Sequence, residues 1–385
     1  MTEPRFHPMP VNRPLLAGAA ALLLALAVWS LSRALPTPGL LDFGSFVASG
    51  RAASEGLDPY GIYPLTFHVV LPGFESWNPN LNPPAALPLF QAFDWFEPHQ
   101  AFRHWWSLSV AAYALGIALL ARAYRPKDWL LPVLWAVALA GLWDTLVLGQ
   151  IYLPLALAGF LGWLCLDRNR PILAGLAIAL VVSIKPNFLV WPALLFLAGH
   201  WRAPVAMGVA ALGLALLPVL LYGPEVYLQW AQLVASDAER ARFLTNASLA
   251  GILERLGLSG IVPMAVNLAI LAGLALWAFL RKPSVLHASA VGLAGSLVAS
   301  PLAWVHYALL LVPVFFAGPL NPWLLFAALA FLVPVPAVLT LMNADPALQA
   351  SLGSVYGWAA LACLIGTLTM GDRWKGDEKR TTSPR

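Results

Sequence analysis

Charged side chains are scarce in this chain of 385 residues: Asp, Glu, Lys and Arg make up 10% of it, where a soluble globular protein carries about 25%. A water-facing surface cannot be built from so few ionic groups, which excludes a set of soluble domains. Cysteine is nearly absent too. The two present, Cys165 and Cys363, both lie inside apolar runs, so neither a disulfide framework nor a thiolate metal site is available. Lysine occurs five times only, at 127, 185, 282, 375 and 379. The pI is basic, near 9.2, but no contiguous basic patch exists outside short loops, which argues against nucleic-acid binding. Internal repeats and low-complexity tracts are lacking as well.

What is present is apolar sequence, in long runs from near the start to near the end. That pattern predicts an all-α polytopic membrane protein. The runs divide into roughly twelve spans: Leu15–Arg33, Ala101–Ala121, Leu130–Trp143, Ile151–Leu166, Ile172–Ile184, Phe188–Ala198, Val205–Tyr222, Ile261–Leu280, Val285–Ala299, Leu302–Phe316, Trp323–Met342 and Leu352–Met370. Some fall short of the ~20 residues that a straight crossing needs. Short or Pro-interrupted spans are tolerated where they pack against neighbours or line a cavity. Ile172–Ala198 also reads as a single broken helix. The first run follows Arg13 and is longer than the h-region of a signal peptide, so an uncleaved anchor is expected.

Charge sets the orientation. Arg5 and Arg13, Arg122, Arg125 and Lys127, Arg168 and Arg170, Arg202, Arg281 and Lys282, and the basic residues after Met370 all fall on one side of these spans. The positive-inside rule makes that side the cytoplasm, with both termini there. The opposite side then receives two long connections, 34–100 and 223–260. The domain reading is one transmembrane unit over 1–370 and a polar cytoplasmic tail over 371–385, in the cell (plasma or inner) membrane.

The first connection opens on Leu40–Tyr60. Phe43, Phe46 and Val47 share one helical face, and Ser45, Ser49 and Arg51 the other, so a helix lying in the membrane interface is expected there. Pro, Gly and aromatic residues follow, at Pro59-Tyr60, Tyr63-Pro64, Trp77-Asn78-Pro79 and Asn82-Pro83-Pro84, and predict a loop shaped by turns. Ala85–Phe96 reads as a half-buried interfacial helix. In the second connection Val226, Tyr227, Trp230, Leu233 and Val234 repeat at helical spacing.

Few polar residues stand where chemistry could use them. Asp42 begins the interfacial helix, either as a catalytic base or as a helix cap. Lys185, in Ser183-Ile184-Lys185-Pro186-Asn187, is the one lysine away from the cytoplasmic clusters. An ammonium at membrane depth marks function by default and suits a lipid phosphate; a snorkelling helix-end lysine is the plainer reading. His306 begins a span on the outer side, as an aromatic-belt residue or as a phosphate or proton partner. Asp144 and Gln150 occupy an outer turn, where they bind sugar hydroxyls or cap the turn. Asp58 reads as a turn residue, and Asn246-Ala247-Ser248 matches a glycosylation acceptor by a pattern short enough to arise by chance. No carboxylate cluster in the outer loops suggests a divalent metal.

Five elements in order carry a resemblance. They are Asp42-Phe43 after the first span, Gly56-Leu57-Asp58-Pro59-Tyr60, Gly149-Gln150, Lys185-Pro186, and Ser300-Pro301 with Trp304, His306 and Tyr307. Together they resemble glycosyltransferase family 87, membrane enzymes of the GT-C superfamily that include polyprenyl-phosphate-mannose-dependent mannosyltransferases. The chain departs from the family pattern at Asn82-Pro83-Pro84, where Tyr-Pro-Pro is common, and at Tyr152, where Asn usually follows the Gly-Gln element.

The resemblance implies a GT-C-type helical bundle with a structured extracytoplasmic first loop. It implies transfer of a sugar, most simply mannose, with inversion, from a polyprenyl-phosphate donor to a glycan or glycolipid acceptor. Asp42 would be the catalytic base. Lys185, His306 and Arg51 would meet the donor phosphate, and Tyr60, Gln150 and Asp144 the rest of the substrates. The lipid-linked sugar is the substrate, and neither cofactor nor metal is expected. Two alternatives stay open: a polytopic lipid or sugar transporter or flippase, and a polyprenyl-phosphate-dependent transferase of another sugar, such as arabinofuranose or glucose.

Overall fold

The computed structural model describes residues 13–34, 40–71, 74–236 and 238–370. The expected polar tail lies outside them. Helix accounts for 76% of the structure, the state in which a chain surrounded by lipid satisfies its own backbone. An apolar helix α1 (Arg13–Ala34) leads to α2 (Leu41–Ser54). A two-stranded antiparallel hairpin follows, β1 (Phe67–Leu71) and β2 (Phe74–Asn78), with Phe67 opposite Asn78. The turns expected in this loop thus flank a hairpin that its composition does not signal. A short α3 (Leu87–Gln91) precedes the long α4 (Pro98–Tyr124), whose first turn is capped by the Glu97 carboxylate accepting from the Gln100 N–H.

The helices α5 (Leu130–Ala138) and α6 (Ala140–Leu148) bend by 45° at Leu139. Next come α7 (Tyr152–Asp167), α8 (Pro171–Ile184), a 3-10 turn over Pro186–Leu189, α9 (Val190–Leu197) and α10 (Arg202–Tyr222). The second long connection holds α11 (Glu225–Ser236), a 3-10 turn over Ala238–Arg242, and α12 (Leu249–Arg255). The rest of the bundle comprises α13 (Ile261–Arg281), α14 (Val285–Val298), a 3-10 turn over Val305–Leu311 running into α15 (Val312–Ala317), α16 (Pro322–Ala330), α17 (Val335–Leu339), α18 (Pro346–Ala350) and α19 (Val355–Thr369).

Five helices among the described residues are long and apolar enough to cross a membrane, and the bent α5–α6 pair makes a sixth. The chain is a polytopic membrane protein, with fewer full-length spans than the twelve expected. The other apolar runs form helices of 10–17 residues, except Trp323–Met342, which is divided between the shorter α16 and α17. Proline and sharp turns interrupt them, and neighbouring helices take the place of lipid. Ile172–Ala198 is broken at Lys185-Pro186, because Pro186 offers no N–H to continue α8 and disfavours helical backbone at Lys185. The core runs through α7, α8, α9 and α14, where Phe160, Trp163 and Trp191 are buried with Ile178 and Val291.

The expected interfacial placement of α2 is corrected. Phe43, Phe46 and Val47 do share a buried face, against Phe90, Phe102 and Trp105. The serine face is covered as well, however, and every residue from Asp42 to Gly50 is buried. The Ser45 hydroxyl donates to the Asn78 carbonyl at 2.5 Å, and that of Ser49 to the Pro59 carbonyl at 2.6 Å. The loop thus folds over α2 by hydrogen bonding to its polar side. Ala85–Phe96 is a pair of short turns rather than one helix. Its Leu87 and Phe90 are fully buried, with Phe90 beneath α2 and Trp95 left outside.

Candidate active site

Asp42 sits in the first turn of α2, but it does not cap that helix. The N-cap is Leu40, held at φ 52°, and no side chain caps the turn. The carboxylate turns away from the helix instead. Oδ1 accepts from the Asn78 amide at the end of β2, and Oδ2 accepts from Gln150 Nε2 at 2.5 Å. Burial pushes the Asp42 carboxyl above its ordinary range. The Asn78 and Gln150 hydrogen bonds and the charge of His306 work against that, and Asp144 adds to it. A carboxylate with a raised pKa is a stronger base than one in water.

Gln150 reaches Asp42 because α6 ends at Gly149, in the left-handed conformation at φ 73°. A Cβ there would come within 2.6 Å of Phe43 Cβ and 2.8 Å of the Phe102 ring. Only glycine allows both the turn and the close approach. The Gly149 carbonyl accepts from Trp105 Nε1 at 2.9 Å, which fixes the turn to α4.

About one and a half turns before Gln150, Asp144 of α6 lies 3.1 Å from His306 Nδ1. A carboxylate accepts only, so Nδ1 carries a proton and Nε2 is the atom left to act. His306 Nε2 is buried without a hydrogen-bond partner among the described residues. The His306 ring packs 4.3 Å from the Tyr152 ring. Lys185 stands at the end of α8, its Nζ 4.8 Å from the Tyr152 centroid and 5.7 Å from that of Tyr307. It is buried, forms no ion pair among the described residues, and lies within electrostatic reach of Asp42. Two aromatic faces hold this cation in place without neutralising it. Tyr152, the departure from the family pattern, is thus the platform shared by Lys185 and His306.

The segment before His306 is fastened from the second connection. The Val305 N–H donates to Thr245 O at 2.9 Å and the Ala247 N–H to Ala303 O at 2.5 Å. Asn246 is wholly buried, its amide donating to Ala241 O and Pro301 O and accepting from the Ala303 and Ser248 N–H groups. The possible glycosylation acceptor is therefore a structural tie with no amide left to modify. Arg255 braces the same segment through Ser354 Oγ, Phe243 O and Asn246 O.

The structure brings Asp42, Asp144, Gln150, Lys185 and His306 together. It does not bring the other two expected residues to them. Arg51 lies about 13 Å further along α2, from its nine-residue separation. It is half-exposed and occupied by Asp94 at 2.5 Å. Tyr60 is buried beside the loop, its hydroxyl donating to Asn82 O at 3.2 Å and its N–H to Asp58 Oδ1. Asn78 and Arg240 are the residues that sequence reasoning missed. Arg240 Nη1 donates to Asn78 Oδ1 at 2.9 Å. The Trp77-Asn78-Pro79 triplet signalled a turn; only the hairpin register turns Asn78 toward Asp42. Among the described residues no three His, Cys, Asp or Glu side chains gather to hold a metal.

No curated protein and no solved structure matches the chain. The sequence profile of glycosyltransferase family 87 matches residues 80–304. That stretch is more than half of the chain and contains Asp144, Gln150, Lys185, Arg240 and Asn246; His306 lies two residues past its end, and Asp42 lies well before its start. The chain belongs to glycosyltransferase family 87, and it is a glycosyltransferase built on membrane-spanning helices.

Proposed function

We propose that this enzyme transfers a sugar, most simply mannose, from a polyprenyl-phosphate donor to a glycan or glycolipid acceptor on the extracytoplasmic face, with inversion at the anomeric carbon. The observation that carries the reading is the pairing of a buried, doubly hydrogen-bonded carboxylate, Asp42, with two groups that lack anionic ligands among the described residues, Lys185 Nζ and His306 Nε2. A base for the acceptor and cationic groups for a leaving phosphate are what this transfer needs.

Asp42 takes the proton from an acceptor hydroxyl as that oxygen attacks the anomeric carbon. The new C–O bond forms as the bond from the anomeric carbon to the phosphate oxygen breaks, and its electron pair leaves with the polyprenyl phosphate. General-base help of this kind is worth about 10²–10⁴ in rate. Lys185 stabilises the departing phosphate, where fixed charge in a dry site acts strongly, and His306 adds a hydrogen bond to it when Nε2 also carries a proton. Asp144 holds His306 so that Nε2 faces the phosphate. The 34–100 loop roofs the site, and the GT-C-type bundle is oriented with both termini in the cytoplasm, in the plasma or inner membrane.

The test is transfer of radiolabelled sugar from polyprenyl-phosphate-mannose in proteoliposomes, wild type beside Asp42→Asn. Label entering product with wild type only is the expected result. Donor lipid exchanging between leaflets with no labelled product would overturn the transferase mechanism in favour of a flippase. Transfer from a different polyprenyl-phosphate sugar alone would correct the sugar.

A further inference from the structure

Arg240 belongs to the second long connection, yet its guanidinium ends in the first. It is buried, and it forks onto the hairpin: Nη1 donates to Asn78 Oδ1 at 2.9 Å and Nη2 to the Trp77 carbonyl at 2.6 Å. The amide of Asn78 is thereby caught between a group that only donates and a carboxylate that only accepts. An asparagine amide otherwise has two nearly equivalent orientations. Here one survives, with Oδ1 toward Arg240 and Nδ2 toward Asp42. The backbone of Asn78 is pinned as well, its carbonyl accepting from Ser45 on α2. The segment that carries Arg240 is itself tied through Thr245, Asn246 and Ala247 to the 301–305 stretch that leads into His306.

We propose that Arg240 is a positioning residue, acting through Asn78 to hold the Asp42 carboxylate in its reactive orientation, so that the second connection joins the two halves of the site. The proposal rests on the role given to Asp42 above. Without the guanidinium, the Asn78 amide is free to rotate and the hydrogen bond to Oδ1 is weakened. That bond opposes the effect of burial on Asp42, so its loss moves the carboxyl to a higher pKa. The remaining groups that face Asp42 are Gln150 and Asp144 from the α6 end, Tyr152 of α7, Lys185 at the end of α8 and His306 of the Val305–Leu311 turn.

The experiment reads Asp42 directly. Full-length protein in nanodiscs is treated with dicyclohexylcarbodiimide, which attacks protonated carboxyls, across a pH series, and labelling of the Asp42 peptide is followed by mass spectrometry. In Arg240→Gln the labelling midpoint should rise by about half a pH unit or more. In Arg240→Lys, whose single ammonium cannot hold both oxygens, it should rise less. The acid limb of kcat/KM should move in the same direction, with the donor KM within about twofold of wild type, since Nη1 and Nη2 of Arg240 are both engaged by the hairpin. Asn78→Ala should shift the midpoint as far as Arg240→Gln, and the double variant no further. An unmoved midpoint in a variant that melts like wild type, or two shifts that add, would overturn the proposal. Should Arg240→Gln fail to fold, Arg240→Lys and Asn78→Ala carry the same test. Wild-type protein that turns over no lipid-linked sugar, but whose Asp42 midpoint still moves with Arg240, would remove the proposed function and leave the positioning intact.

Discussion

Asp42→Asn separates catalysis from folding more cleanly than any other change at this site. The new amide has the shape of the carboxylate but replaces one acceptor oxygen by a donor NH2. Asn78 cannot adapt, because Arg240 fixes its amide orientation. Gln150 can: its Oε1 is buried with no partner among the described residues. Rotating the Gln150 amide by a half turn presents Oε1 to the new NH2, and both hydrogen bonds survive. The ionised wild-type carboxylate, by contrast, is held at a cost. Its native pKa lies above the ordinary value because of burial, so stability is lost as pH rises through the interval between the two and is not regained at neutral pH. The substitution should therefore raise the melting temperature at pH 7 while lowering kcat by about 10²–10⁴, equivalent to about 2.7–5.5 kcal/mol of transition-state stabilisation. Initial rates of sugar transfer and thermal melting in detergent, on the same preparations, read the two effects together. Turnover within tenfold of wild type would refute the base assignment. A melting temperature lowered by several degrees would refute the amide rotation.

The wild-type rate should fall on the acid side as Asp42 protonates, at a pH above the ordinary carboxylate range, which a rate–pH profile will show. Lys185→Met should cost about 10²-fold in kcat/KM for the lipid-linked donor, and Lys185→Arg should restore little, since the wider guanidinium must fit between Tyr152 and Tyr307. Asp144→Asn should lower kcat about 10–100-fold with folding intact, because a neutral amide, which can also turn its NH2 to the ring, replaces the accept-only carboxylate that fixes the His306 tautomer. Gly149→Ala should lower stability by about 2 kcal/mol or more, read as a fall in melting temperature, because the added methyl meets Phe43 and Phe102 in a backbone conformation that disfavours it.

Much of this molecule is written along the chain. Scarcity of charge, with apolar runs throughout, dictated a polytopic helical membrane protein, since such a sequence has no other solvent to fold in. Pro186 after Lys185 broke a helix at the one lysine away from the other basic clusters. Gly149 before Gln150 marked a turn that only glycine makes. Five of the seven residues singled out from sequence meet in one site; Asp42, Gln150, Lys185 and His306 stand at helix ends or turns, where local rules are strong, and Asp144 lies within the short α6. The rest was settled by long-range packing. Full-length spans number fewer than the apolar runs, because buried helices need no lipid thickness. Helix α2 reads as amphipathic along its own sequence, but the hairpin and loop cover its polar face. Arg51 found Asp94 and stayed outside the site, and Tyr60 became a strut. Asn78 and Arg240, 162 residues apart, carry no local signal of their connection. Periodicity reports which face of an element is apolar, whereas a hydrogen bond between two loops exists only once both have been placed.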